Sequence, residues 1–399
     1  MGPRTILYTG KGGVGKTSVA AATARRIAAG GDRVIVLSTD PAHSLADVLE
    51  EPVGPDPTPV ADGLFFAQQV HAQQELERNW SQVQGWLGSM LVERGVDRIA
   101  AEELSVPPGG DELFSLLQIK AHWESGEWDA IVVDCAPTGE TLRLLGFPDV
   151  ARWWLGKVFG REHQLLAAAR PLARAFLDMQ LPDERVFHEV QELMRNLVAM
   201  NEILRDSPTS SLRVVMTPDR MVVKEAMRTF TYLNLFGYLT DAVIVNRVFP
   251  AELDGTYFGA WRELQGEQLE LVESGFAPVP VLRAPYFDGE VMGPVMLDRL
   301  GDELFADDDA GAVLHHTVSQ QLSHDGEQAE LRLELPFVEK ADISCKMIGL
   351  ELVVRVEDAK RTIQLPASMA NFRPASASFA DGALVVVFEP MEAAVGASG

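Results

Sequence analysis

The chain has 399 residues, 47% hydrophobic and 23% charged, which excludes bulk disorder and predicts two or three domains at roughly 100–200 residues each. No uninterrupted apolar stretch approaches the roughly 18–20 residues needed for a bilayer span, so stable membrane insertion is not expected. With 34 Lys+Arg against 58 Asp+Glu, net −24, the surface repels phosphate backbones and no nucleic acid is expected as partner; two cysteines, Cys135 and Cys345, cannot build a disulfide framework or a zinc cage.

The segment TILYT (5–9) is a short apolar run that stops at a glycine cluster, as a buried parallel strand does. A glycine-rich motif this early leaves no room for a leader peptide, and a cytoplasmic protein is expected. A helical pattern over 15–29 and a second apolar run, RVIVLS (33–38), complete one βαβ unit. The theme returns at DAIVVD (129–134), LRVVM (212–216), DAVIVN (241–246) and VPVL (279–282). Helical segments lie between them, which predicts a doubly wound, mostly parallel α/β sheet over 1–305. Residues from about 147 to 206 break the alternation and read as an inserted helical subdomain. Within it Val186, Val190, Leu193, Leu197, Met200 and Leu204 form an apolar seam at helical spacing.

After Leu304 the composition shifts. Acidic and glycine residues around a short polar helix candidate make 306–328 a linker. From Glu330 the period becomes two. ELRLEL (330–335), GLELVVRV (349–356), RTIQL (361–365) and ALVVVF (383–388) predict a small antiparallel β-sandwich over 329–391, followed by a flexible tail, 392–399.

The chemistry concentrates in GKGGVGKT (10–17), which satisfies G-x-x-x-x-G-K-[ST] between a predicted strand and a predicted helix. Gly12, Gly13 and Gly15 allow backbone N–H groups to close around an anion at a helix N-terminus. Lys16 is positioned to reach the β- and γ-phosphates, and the Thr17 hydroxyl to ligate Mg²⁺. The nucleotide-binding set is Gly10, Lys11, Gly12, Gly13, Val14, Gly15, Lys16, Thr17 and Ser18. Asp134 ends a strand, where it can hold Mg²⁺ through water. The preceding strand delivers STDPAHS (38–44) to the same sheet edge, and Asp40 there can orient or deprotonate an attacking water. His43 reads either as a second base or as a structural or switch residue.

Lys11, the extra lysine in the loop, resembles the signature of the deviant phosphate-loop class that includes MinD, ParA, the nitrogenase iron protein and the ArsA-type ATPases. The resemblance implies that it acts like an arginine finger across a dimer interface. Together GKGGVGKT (10–17), STDPAHSLADVL (38–49) and DCAPTGETLRLL (134–145) resemble the ArsA family, which holds the arsenite-efflux ATPase and the guided-entry factor for tail-anchored membrane proteins. Weaker matches are PPGGDEL (107–113), TPDRMVVKEAMRT (217–229), VNRV (245–248) and APYFDGEV (284–291). The resemblance implies that 38–49 and 134–145 are switches that move with the γ-phosphate state. It also implies that Asn246 reads the adenine edge and that the chain near Pro285 packs on the base. On their own residues, Asn246 also reads as a turn cap and Pro285 as a loop proline. ELRLELPFVEKADI (330–343) and ASFADGALVVVFEP (377–390), with the strands between, resemble an α-crystallin (small heat-shock protein) domain. The I-x-I tail that such proteins use for higher assembly is absent, so large oligomers are not expected.

Two departures shape the functional expectation. The chain lacks the cysteine cluster by which the efflux ATPase holds arsenite, and the Cys-x-x-Cys zinc clamp of the eukaryotic targeting factor, so neither an arsenite nor a zinc site is expected. The expected function is that of an ATP-hydrolysing homodimer that couples its nucleotide state to a hydrophobic client helix or membrane protein. The helical block supplies candidate client contacts, Trp153, Trp154, Leu155, Val158, Phe159, Leu165, Leu172, Phe176 and Met179, which read equally as that block's own core. The alternatives are an ATPase coupled to metalloid transport and a MinD-like positioning switch.

Overall fold

The computed structural model describes residues 2–40, 44–93, 96–98, 110–135, 184–253, 255–325 and 328–391. They fall into two compact units: the chain up to Leu7 with Thr17–Asp206 and Val291–Gly301, and Tyr8–Lys16 with Ser207–Glu290 and everything from Asp302 on.

The element order is β1 (Arg4–Thr9), α1 (Lys16–Ala29), β2 (Val34–Ser38), α2 (Ser44–Leu49), β3 (Thr58–Val60), β4 (Phe65–Gln69), α3 (Ala72–Glu93), α4 (Gly110–Ser125), β5 (Ala130–Asp134) and α5 (Glu184–Arg205). There follow β6 (Ser210–Met216), α6 (Arg220–Phe236), β7 (Thr240–Val248), α7 (Thr256–Phe276), β8 (Val281–Pro285) and α8 (Gly293–Phe305). The eight strands form a sheet in the order β3-β4-β2-β5-β1-β6-β7-β8. β2 runs parallel to β4 and β5, and β7 to β6 and β8, while β3 pairs antiparallel with β4. Their near-continuous burial explains why the Val- and Ile-rich runs were readable as parallel strands: β2, β5 and β6 are buried along their whole length. β8 starts two residues later than the apolar run suggests, because Pro280 has no N–H to give a ladder.

The seam at 186–204 faces inward on α5, where Leu193, Leu197, Met200 and Leu204 are buried as the helix packs on α3 and α4. The rest of the expected helical block, including every candidate client contact, lies outside the described residues, as does the tail 392–399.

The expected linker is only partly one. Its residues up to Ser319 carry no helix, but Gln320–Asp325 form a strand, β9. β9 is an edge strand, exposed along nearly its whole length, so it shows none of the alternation that betrays a strand. With β10 (Gln328–Glu334), β14 (Phe372–Ala380) and β15 (Ala383–Pro390) it makes a four-stranded sheet ordered β14-β15-β10-β9. β11 (Ile343–Ile348), β12 (Glu351–Val356) and β13 (Ala359–Gln364) make a second, three-stranded one. Alternate residues of both fill one core, among them Leu331, Leu333, Val354, Ile363, Val386 and Phe388. Each buried aliphatic contributes roughly 1.5–3 kcal/mol.

A buried polar chain in the first unit predicts a pH dependence. The Trp128 indole N–H donates to His122 Nδ1 at 3.0 Å, so Nε2 carries the proton and donates to Gln68 Oε1 at 2.6 Å. Gln68 Nε2 in turn donates to the Pro55 carbonyl at 2.6 Å. Burial holds the His122 pKa below its ordinary value, with the Glu127 carboxylate opposing it. The unfolded chain therefore takes up this proton first as pH falls, so stability is full above about pH 6.5 and drops below it, by up to about 1.4 kcal/mol per pH unit. Denaturation midpoints at pH 7.5 and 5.5 should diverge less in His122→Gln than in the wild type. An unchanged divergence would remove His122 as the cause.

Candidate nucleotide site

β1 is buried from Thr5 to its end and runs into the glycine turn that opens α1. Two glycines there admit no side chain. Gly10 has φ +146°, and a Cβ on it would lie 2.1 Å from the Val215 carbonyl oxygen of β6. Gly15 has φ +94°, and a Cβ on it would lie 2.4 Å from the Asn246 amide nitrogen. That closeness reflects a strut. Asn246, at the end of β7, donates from Nδ2 to the Val14 carbonyl at 2.9 Å, and its Oδ1 accepts the Arg247 N–H at 2.9 Å. The side chain thus makes one hydrogen bond to the loop and one to its own strand end.

Lys16 is buried and donates to the Lys11 carbonyl at 3.2 Å, inside the curl of the loop. The Lys11 ammonium lies 3.2 Å from Glu225 of α6, both groups half-exposed. A pair so solvated is worth at most about 1 kcal/mol, enough to park the lysine without trapping it.

Beside the loop a cavity of about 700 Å³ is lined by Lys11 to Val14 and by Asp219, Val222, Arg247, Phe249, Phe258, Trp261 and Tyr286, among others. Phe249 packs against Tyr286 and Phe258 with ring centroids 5.6 and 6.1 Å apart. Gln265 braces this wall, its Oε1 accepting the Phe249 N–H at 2.9 Å and its Nε2 donating to the Arg247 carbonyl at 3.3 Å. Arg247 sits at φ +61°, a costly conformation for a residue with a side chain and one that concentrates at binding sites. Pro285 ends β8 opposite Val248; the aromatic face in the cavity is that of its neighbour Tyr286. Sequence reasoning missed Phe249, Phe258, Trp261 and Tyr286. The available signals were their nearness to VNRV and APYFDG and the i, i+4 pair of Tyr257 and Trp261 at the start of α7.

Within the first unit, side-chain oxygens gather around Asp134. Asp134, fully buried at the end of β5, accepts the Thr17 hydroxyl on Oδ2 at 2.7 Å. Ser44 Oγ lies 3.0 Å from Thr17 Oγ1, and Ser38 Oγ donates to Asp134 Oδ2 at 3.4 Å. Thr39 donates its N–H to the Asp134 carbonyl at 3.0 Å. One carboxylate and three hydroxyls are hard oxygen donors, the set that suits Mg²⁺ completed by water and phosphate. No cluster of three His, Cys, Asp or Glu that could hold a softer metal occurs among the described residues. Asp40 follows β2 half-buried, its N–H turned to Ser38 Oγ at 3.4 Å and its carbonyl accepting from Gln69 Nε2 at 3.1 Å. Ser18 spends its hydroxyl on the Val291 carbonyl, 3.3 Å away. His43, and 136–145 of the second expected switch, lie outside the described residues.

Residues 3–306 match the family model of the ArsA-type, anion-transporting ATPases. Residues 326–388 match that of an HSP20-like domain found in ArsA. A Chlorobaculum tepidum protein, provisionally named an arsenical pump-driving ATPase, is 36% identical over 97% of this chain and 96% of its own. An Aquifex aeolicus protein with a similar provisional name is 34% identical over 93% of the chain and 96% of its own. ATPase GET3B of Arabidopsis thaliana is 32% identical over 73% of the chain and 76% of its own.

Proposed function

The chain belongs to the ArsA family of ATPases, and on that premise we propose that it is a homodimeric, Mg²⁺-dependent ATP hydrolase whose nucleotide state governs capture of hydrophobic client segments, such as those of tail-anchored membrane proteins. The observation that carries the ATPase reading is the Thr17 hydroxyl, which follows directly on the lysine curled into the glycine loop, donates to the buried carboxylate of Asp134 and lies 3.0 Å from the Ser44 hydroxyl.

In this reading the loop N–H groups and Lys16 bind the phosphates, and the wall of Phe249, Phe258 and Tyr286 takes the base. Thr17 and Asp134 hold Mg²⁺, the latter through water; when bound, the ion offsets the charge of the β- and γ-phosphates. Asp40 orients the attacking water, and Lys11 leaves Glu225 to complete the partner's site. Asp40→Asn should keep ATP affinity while hydrolysis falls by about 10²–10⁴-fold; wild-type turnover in it would remove Asp40 from this role. Lys11→Ala should slow hydrolysis and block nucleotide-driven dimerisation. A normal rate would end the cross-subunit assignment.

The provisional names of two relatives favour a second reading, an arsenical pump ATPase. Two facts weigh against it. The whole chain has two cysteines. Cys135 is buried directly after Asp134, and Cys345 sits in the sandwich, where burial pushes its thiol pKa up and away from the thiolate that a metalloid needs.

A further inference from the structure

The sandwich is not a tethered module. It belongs to the same compact unit as the phosphate loop and the aromatic cavity, and one helix, α6, serves both. Val222 in its first turn lines the cavity, and Glu225 holds Lys11. Two turns later the helix becomes sandwich. The Thr231 hydroxyl donates to the Pro336 carbonyl, and the Tyr232 hydroxyl donates to Glu357 at 2.9 Å. Leu235 is fully buried in the sandwich core, and Phe337 packs on Phe230 of α6 and Phe276 of α7 with centroids 6.4 and 5.3 Å apart.

The C-terminus of α6 carries its own left-handed glycine cap, the Gly237 and Tyr238 N–H groups donating to the Asn234 and Leu233 carbonyls at 3.1 and 3.0 Å, and the sandwich adds to it. A helix leaves its last carbonyls without intrahelical partners and carries partial negative charge there. Arg361 of β13, itself buried, donates to the Leu235 carbonyl and covers Gly237, whose missing Cβ would be 3.0 Å from the guanidinium. The Ser319 hydroxyl takes the Asn234 carbonyl at 3.0 Å. A cation and a hydroxyl from outside the ATPase fold thus reinforce the cap of the helix whose other end borders the cavity.

We propose that the sandwich regulates the nucleotide pocket by holding α6 in the position that sets Val222 against the cavity and Glu225 against Lys11. Nucleotide occupancy and sandwich docking are then energetically coupled, and the coupling is reciprocal. This rests on reading the cavity as a nucleotide site.

The test uses full-length protein, a fluorescent ATP analogue and amide hydrogen exchange. In the wild type, saturating analogue should change exchange in β12 and β13. Arg361→Leu, which leaves the phosphate loop untouched, should shift the analogue's Kd about fivefold or more, the lower end of usual allosteric couplings, and abolish that exchange response. Phe337→Ala, at a half-exposed position of the joint, should shift Kd in the same direction and stands in should Arg361→Leu not fold. A Kd within twofold of wild type in a variant whose sandwich exchange shows loosened docking would overturn the coupling and make the sandwich a passenger. A wild type that fails to bind the analogue removes the nucleotide reading, and the coupling with it. Binding with unshifted variants removes the coupling alone.

Discussion

Arg213→Met is expected to destabilise the protein by about 3–5 kcal/mol, a large fraction of the roughly 5–15 kcal/mol that holds a domain folded. Arg213, fully buried in β6, reaches Asp241 of β7 with Nε 3.1 Å from Oδ1, and Nη1 donates to the Tyr8 hydroxyl of β1 at 3.1 Å. It also donates to the carbonyls of Ala310 and Ala312 at 2.9 and 3.0 Å, pinning the segment after α8 that leads to the sandwich. Burial alone pushes the guanidinium pKa down; Tyr8 and Asp241 more than offset it, and the group stays charged. The methionine variant strands a buried carboxylate and several acceptors, which is the source of the penalty. Arg213→Met combined with Asp241→Leu should regain most of the loss, because replacing a buried pair whole is often nearly neutral. Denaturant midpoints of the two variants decide it. If the double variant is no better than the single one, packing rather than the stranded charge explains the cost.

Gly15→Ala is expected to weaken ATP binding by roughly 30- to 700-fold. Its methyl would meet the Asn246 amide at 2.4 Å and would hold an alanine at φ +94°. Backbone strain of about 1–3 kcal/mol and the loss of about 1 kcal/mol from the Asn246 hydrogen bond to Val14 convert to that range at 1.4 kcal/mol per tenfold. Gly13→Ala is the control. Its φ is +81° but nothing lies within 4 Å of the added methyl, so it should lose only about fivefold to tenfold, from about 1 kcal/mol or slightly more of left-handed strain. Isothermal titration with ATP separates them. Equal losses would show that Asn246 is no strut.

The glycine loop was legible because its spacing places it: residues 10–17 turn from a buried strand into a helix, as the motif requires. Asp134 was legible because a carboxylate ending an all-apolar run is costly unless something needs it. Partners distant in sequence were not legible. Asn246 is visible as a polar strand end, but its hydrogen-bond partner Val14 lies 232 residues away, and nothing local distinguishes a base reader from a strut. Lys11 is likewise visible without its holder Glu225. The sandwich strands that bury alternate residues were readable, whereas β9 and β14 are exposed along most of their length and carry no period. The cavity's aromatic wall was missed because Phe249, Phe258, Trp261 and Tyr286 come from three strand ends and helix starts that only the fold brings together.

Capture of a tail-anchored-type hydrophobic helix by the purified full-length protein, compared with a non-hydrolysable ATP analogue, with ADP and without nucleotide, tests the central claim most directly. The account predicts capture that depends on which nucleotide is bound. Intact ATP hydrolysis with no capture in any state would contradict it, leaving a family ATPase that works on some other partner.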